Sequence, residues 1–224
     1  MSTELVVLVP SRSRPQNIDR LLKAWTFYHA TSDLMIYVDE DDPEVDEYRK
    51  LPDHPYATLT IGPRRGLNGT LNWLASQVWN VYPYIGFMGD DHCPHTDRWD
   101  QEIIRELKMF GTCMAYGNDL LQGPTIPTAI FMTSDIPRTL GYFSPPELQH
   151  MYLDNSWLEW GHGMGRIHYL PNVVIEHLHW STGKAKHDAS YAETGPLMGP
   201  DQVAFDRYMK ERFPADLAKL KELL

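Results

Sequence analysis

Hydrophobic positions in the first half of the chain alternate between short solid runs and runs at helical spacing. Leu5–Val9 is unbroken and aliphatic, the pattern of a strand buried on both faces. Ile18, Leu21, Leu22, Trp25 and Tyr28 then share one helical face, with Ser13 placed as cap and Pro15 suited to the first turn. Leu34–Val38 predicts a second strand, and Pro43, Val45 and Tyr48 a short helix. Ala57–Ile61 predicts a third strand, and Leu67, Leu71, Leu74 and Val78 a helix running to about Asn80. A fourth strand begins at Tyr84 and stops abruptly at Asp90-Asp91-His92, bounded by Pro83 and Pro94. Trp99, Ile103, Leu107 and Phe110 define the next helix, with Thr96 or Asp97 as its cap. This strand–helix alternation predicts an α/β fold, a mostly parallel Rossmann-like sheet with helices on both faces.

The second half is less regular. Met114–Tyr116 and Ala129–Met132 read as strands around a turn-rich segment, Gln122 to Pro127. Asp154 opens a helical piece reaching about Gly161. Ile167–Ile175 reads as one or two strands broken at Pro171-Asn172 and runs into Glu176-His177-Leu178-His179-Trp180. Ser181 to Asp188 is polar and contains glycine, as a mobile binding loop would. From Pro200 the chain reads as helices that serve packing. One domain over 1–224 is expected: a nucleotide-binding half (1–112), an acceptor and metal-completing half (113–198) and C-terminal helices (199–224).

Thirty acids against twenty Lys and Arg give a net charge of −10, which argues against broad binding to nucleic acid or anionic lipid. Two cysteines cannot build a disulfide framework or a four-cysteine zinc site. No leader segment and no membrane span is read from the sequence, so a reducing cytoplasm is the expected compartment.

The candidate chemistry lies at the strand ends. With right-handed crossovers, the carboxyl ends of the first four strands share one edge, where open α/β sheets bind ligands. That edge gathers Ser11, Arg12, Asp39, Arg65, Asn68, Asp90 and Asp91. Adjacent carboxylates repel unless a positive group lies beside them, and a divalent cation carrying phosphate oxygens meets that need. Taken singly, Arg12 and Arg14 read as solvated loop charges, and Asp154 reads equally well as a helix cap.

The ordered set of motifs resembles the GT-A fold nucleotide-sugar glycosyltransferases, especially the family 2-like members, over Leu5 to about Tyr191. Val7 to Pro15, with Pro10, Ser11, Arg12 and Arg14, looks like the strand and loop that hold the nucleobase. Asp39 looks like the acid that contacts the base, and Arg65-Gly66-Leu67-Asn68 like the segment beside the nucleoside. Gly89-Asp90-Asp91-His92 looks like the Asp-x-Asp motif, in which one acid meets the ribose and the other the metal. Asp154 resembles the acceptor-facing base of inverting members. His177, or His179 two residues on, resembles the late histidine that completes the metal site. The motif departs from the family pattern in reading Asp-Asp-His, so the ligand is Asp91 or His92; carboxylate oxygen favours Asp91 for Mg²⁺ or Mn²⁺.

The resemblance implies a metal-dependent glycosyltransferase with a nucleoside-diphosphate sugar donor, expected to be a UDP-sugar. The acceptor is unidentified: glycan, protein, lipid or modified nucleic acid. Asp91, His177 and His179 would hold Mn²⁺ or Mg²⁺, Lys184 or Lys186 would clamp phosphates, and Asp154 would take the acceptor proton. Two other readings stay open. A nucleotidyltransferase would prefer a glycine-rich, lysine-bearing first loop, and Ser11 to Pro15 has no glycine. A metal-dependent hydrolase would need more inward acids than can be placed.

Overall fold

The computed structural model describes residues 3–224; Met1 and Ser2, on which part of the expected absence of a leader falls, lie outside the described residues. Among these residues are eight strands: β1 (Leu5–Ser11), β2 (Asp33–Asp39), β3 (Ala57–Gly62), β4 (Tyr84–Phe87), β5 (His92–Pro94), β6 (Met114–Asn118), β7 (Ile130–Thr133) and β8 (Ile167–His177). Nine α-helices accompany them: α1 (Pro15–Phe27), α2 (Val45–Tyr48), α3 (Gly66–Val78), α4 (Trp99–Phe110), α5 (Asp135–Leu140), α6 (Leu153–Met164), α7 (Ala189–Thr194), α8 (Met198–Glu211) and α9 (Phe213–Lys221).

The strands form one sheet in the order β3-β2-β1-β4-β7-β6-β8-β5. The β1–β2, β1–β4, β2–β3 and β6–β8 pairs are parallel; β4–β7, β6–β7 and β5–β8 are antiparallel. Six strands therefore point the same way, and β7 and β5 run against them. The expected common edge holds for the first four strands and extends to β6 and β8.

Period-two alternation sorts the core into two layers. Val6, Leu8, Ile85, Phe87, Met114 and Met132 face α3, α6 and α9, where Leu71, Leu74, Trp157, Trp160 and Leu220 are buried. Leu5, Val7, Val9, Ile36, Val38 and Phe131 face α1 and α4, where Trp25 and Trp99 meet edge to face at 5.0 Å. Each fully buried side chain of this size contributes about 1.5–3 kcal/mol. Gly86 stands opposite Phe131 in the β4–β7 pair, and a Cβ there would overlap that ring.

Local details differ from expectation. Ser13 does not cap α1: it sits at φ 56°, its N–H donates to Asp42 Oδ2 at 2.7 Å, and Arg14 flanks the helix. Neither Thr96 nor Asp97 caps α4. Thr96 is drawn to β8, donating to the Asn172 carbonyl and accepting from the Val174 N–H, while Asp97 contacts His29. Ile167 to His177 is one strand, and Pro171-Asn172 is absorbed as a register shift against β6 between Gly117 and Asn118. The polar stretch after His179 is not a plain loop: a one-turn 3-10 helix (Trp180–Thr182) leads to α7, whose cap Asp188 accepts from the Tyr191 N–H. Asp201, buried in α8, accepts the backbone N–H groups of Gln149, His150 and Met151 at 2.7–3.0 Å. No described helix is long and apolar enough to cross a membrane.

Candidate functional site

The strand ends of β1, β2, β4 and β8 open onto a cavity of about 970 Å³. Its floor is a buried charge cluster. Ser11, at the end of β1, donates to Asp90 Oδ2 at 2.7 Å, and Arg14 Nη1 donates to Asp90 Oδ1 at 3.0 Å. Arg14 is 7% exposed and Asp90 6%. Burial, with the adjacent Asp91 charge, pushes the Asp90 carboxyl up to about 6, against the pull of Arg14 and Ser11.

Asp91 divides its two oxygens. Oδ1 lies 3.5 Å from both His177 Nε2 and His92 Nδ1; Oδ2 accepts the Tyr191 hydroxyl at 2.9 Å and lies 3.6 Å from Arg14 Nη1. Burial would raise this carboxyl, but His177 and His92 outweigh it and hold it well below the usual carboxylate range. Burial likewise lowers the His177 imidazole, and Asp91 reverses that to a net rise; His92 is lowered by burial and by the neighbouring His177. The two imidazoles are opposite each other in the β5–β8 pair and stack at 4.4 Å between centroids.

Asp91, His92 and His177 thus offer ligand atoms all within 4.8 Å of one another. These residues fit a divalent cation: one carboxylate and two imidazoles converge, and the buried Nδ1 of His92, which faces Asp91, has no hydrogen-bond partner among the described residues. His179, expected as a ligand, stands outside this trio. Its Nδ1 accepts from the Ser181 N–H and pairs with the Ser181 hydroxyl, closing the turn at Trp180. His92, on sequence grounds only an alternative to Asp91, joins the trio because β5, a strand of three residues that leaves no periodicity to read, pairs with β8.

The cationic wall comes from the loops after β1 and β3. Arg12 donates to Asp39 at 3.2 Å and Asp41 at 2.8 Å, and Arg65 lies over the Trp73 ring at 4.9 Å. Burial raises the Asp39 carboxyl, with Arg12 pulling it down. Pro10, Arg64, Asn72 and His150 also line the cavity. Asn68 does so as a brace: its amide donates to the Pro145 and Leu148 carbonyls at 2.7 and 2.6 Å, and its oxygen accepts from Ser144 and Asn72. Asp154 lines the cavity at the start of α6, and burial raises its carboxyl; it is not the cap of α6, and its carboxylate accepts the N–H of the next residue, Asn155. Lys184 is turned aside to Glu176 and does not line the cavity.

Three contributors were not legible in the sequence: Asp188, Tyr191 and Glu193, in and beside α7. Asp188 clamps Arg14, Tyr191 lies under the Arg14 guanidinium at 4.5 Å, and Glu193 contacts Arg12 and Arg64. The one signal was the Asp188-to-Tyr191 spacing of a helix cap.

No protein-family model matches this chain, and no curated protein matches it by sequence. Solved structures do. The chain is similar to a mannosyltransferase from Pyrobaculum calidifontis in complex with GDP-Man and Mn²⁺, with TM-score 0.63 and 14% identity over 100% of this chain and 74% of that one. It is similar to a nucleotide-diphospho-sugar transferase from Desulfovibrio desulfuricans, with TM-score 0.55 and 14% identity over 92% and 99%. It is also similar to Rv0371c from Mycobacterium tuberculosis, a manganese complex, with TM-score 0.53 and 13% identity over 82% and 97%. The chain has a GT-A-like fold, that of nucleotide-diphospho-sugar transferases.

Proposed function

We propose that this chain is a metal-dependent glycosyltransferase that moves a sugar from a nucleoside-diphosphate sugar to an acceptor hydroxyl. The carrying observation is that Asp91, His92 and His177 converge on the same cavity as Arg12, Arg64, Arg65 and Asp154. Asp91, His92 and His177 would hold the cation, which when bound supplies positive charge against a diphosphate. Two imidazoles beside one carboxylate favour Mn²⁺ over Mg²⁺, because nitrogen donors suit later metals than hard Mg²⁺ does.

Arg12, Arg64 and Arg65 would bind donor phosphates or base from the β1 and β3 loops, with Pro10, Ser11 and Asp39 shaping that end. Asp154, with its raised carboxyl, would accept the acceptor's proton as the new glycosidic bond forms and the sugar–phosphate bond breaks. Asn68 and Asp201 would hold the wall formed by residues 145–151. The donor is a UDP- or GDP-sugar; the Pyrobaculum relative's GDP-Man makes the guanine nucleotide as reasonable as the uridine one.

The test is a thermal-shift series with UDP, GDP, their sugars and the corresponding triphosphates, each with and without Mn²⁺. Ligands that bind only the native state raise the melting temperature. One diphosphate stabilising only with Mn²⁺, and losing that effect in Asp91→Asn, supports the reading. Equal stabilisation by triphosphates would favour a nucleotidyltransferase, and no nucleotide response would overturn it.

A further inference from the structure

A short polar chain runs outward from His92, away from Asp91. His92 Nε2 lies 3.3 Å from Thr128 Oγ1, and Thr128 Oγ1 donates to Asp119 Oδ2 at 2.8 Å. The other oxygen of Asp119 accepts three backbone N–H groups, from Leu121, Gln122 and Gly123, at 3.0, 2.7 and 2.8 Å. A carboxylate receiving four donors is an acceptor at both oxygens. A threonine hydroxyl has one proton, and Asp119 takes it. The contact between Thr128 and His92 must therefore run the other way, from the ring Nε2–H to the hydroxyl oxygen. In a neutral imidazole that leaves Nδ1 as a bare lone pair. Nδ1 is the buried atom that faces Asp91 and lacks a partner.

We infer that Thr128 and Asp119 are positioning residues that fix His92 in its Nε2–H form and aim its Nδ1 lone pair at the cation site. This rests on the proposed metal-dependent reading, but it assigns a role to two residues outside the trio. Carboxylate partners of this kind set ring orientation and ligand basicity in metal sites. The turn that holds Asp119 follows β6, and the His177 backbone N–H donates to the Asp119 carbonyl at 2.9 Å, so one residue ties to the ring of His92 through Thr128 and to the main chain of His177. His177 has no comparable partner on its own Nδ1 among the described residues.

The experiment has two readouts, neither of them activity. In the metal-free protein with ¹⁵N-labelled histidine, imidazole nitrogen shifts report the His92 tautomer. The expected result is Nε2–H in the wild type; Nδ1–H there overturns the inference, whether or not metal binds. Mn²⁺ affinity is then followed by the loss of the free-ion EPR signal in wild type, Thr128→Val and Thr128→Ser. Thr128→Val, which removes the hydroxyl at nearly constant volume, should weaken Mn²⁺ binding about 10–100-fold. Thr128→Ser, which keeps it, should restore affinity to within about threefold of wild type. Equal affinity in Thr128→Val and wild type overturns the inference, as does loss in both variants. A wild type with the Nε2–H tautomer and no Mn²⁺ binding would instead sink the metal-dependent function and the ligand role of His92 together.

Discussion

Arg14 and Asp188 lie 174 positions apart and share two parallel hydrogen bonds, Nε to Oδ2 at 2.7 Å and Nη2 to Oδ1 at 2.9 Å. The remaining nitrogen of the same guanidinium holds Asp90. One buried cation therefore joins the first loop, the Asp-Asp pair and the segment leading into α7.

Arg14→Ala should be among the most destabilising single changes in the protein. It leaves Asp90 buried without its positive partner, a loss of about 3–5 kcal/mol. For a chain of this size that lowers the melting temperature by roughly 6–20 °C. The loss should shrink as the pH falls towards 5, because a protonated Asp90 tolerates burial. Urea melts at pH 5 and pH 8 check both the size and the sign.

Glu193, in α7, contacts Arg12 and Arg64, the cations that the proposed diphosphate site would use. The variant Glu193→Gln should bind a nucleoside diphosphate more tightly, by about 1.4- to 5-fold, since partly exposed ion pairs contribute about 0.2–1 kcal/mol. The gain should fall with added salt. Calorimetric titration at two ionic strengths measures it. Weaker binding would mean that α7 supports the bound ligand and does not compete with it.

Asp154→Asn should separate activity from stability. Sugar transfer should drop about 10²–10⁴-fold if the carboxylate is the base. Burial raises this carboxyl above its unfolded value, so the native state holds the proton longer and stability declines as pH rises through that interval. The uncharged variant escapes this, so its melting temperature at neutral pH should match or exceed the wild type's. A variant that loses both activity and stability would make Asp154 structural.

Asp201→Ala strips three N–H groups of their acceptor. The cost should be on the order of 3 kcal/mol, as for charged hydrogen bonds lost in a buried site. Residues 149–151 line the cavity, so the donor KM should rise more than kcat falls. A denaturant melt and a donor saturation curve test the two halves of this claim.

The first half of the fold was legible because its strands are solid apolar runs and its helices carry an apolar stripe. β1, β2, β3 and β4 with α1, α3 and α4 lie where Leu5–Val9, Leu34–Val38, Ala57–Ile61 and their neighbours indicate. Pairing direction was not legible: nothing in Ile130–Thr133 says that β7 enters between β4 and β6 against both. Asp90, Asp91 and His177 were visible as polar residues closing apolar runs. His92 stood one residue from the pair, but its place depends on β5. Lys184 illustrates the opposite case, because a polar loop cannot reveal that Glu176 will occupy its ammonium. Helix caps failed where tertiary partners competed, as Asn172 and Val174 do for Thr96.

The spacing of the two imidazoles is written into the backbone. His92 and His177 are direct partners in an antiparallel ladder, so their separation is set by main-chain hydrogen bonds and not by loop flexibility. Sliding β5 by a single residue would send one ring to the opposite side of the sheet. Such a chain would keep every donor atom and most of its core; if the proposed cation site is right it would hold no ion, making cation uptake a sensitive report on whether the last edge strand has docked correctly.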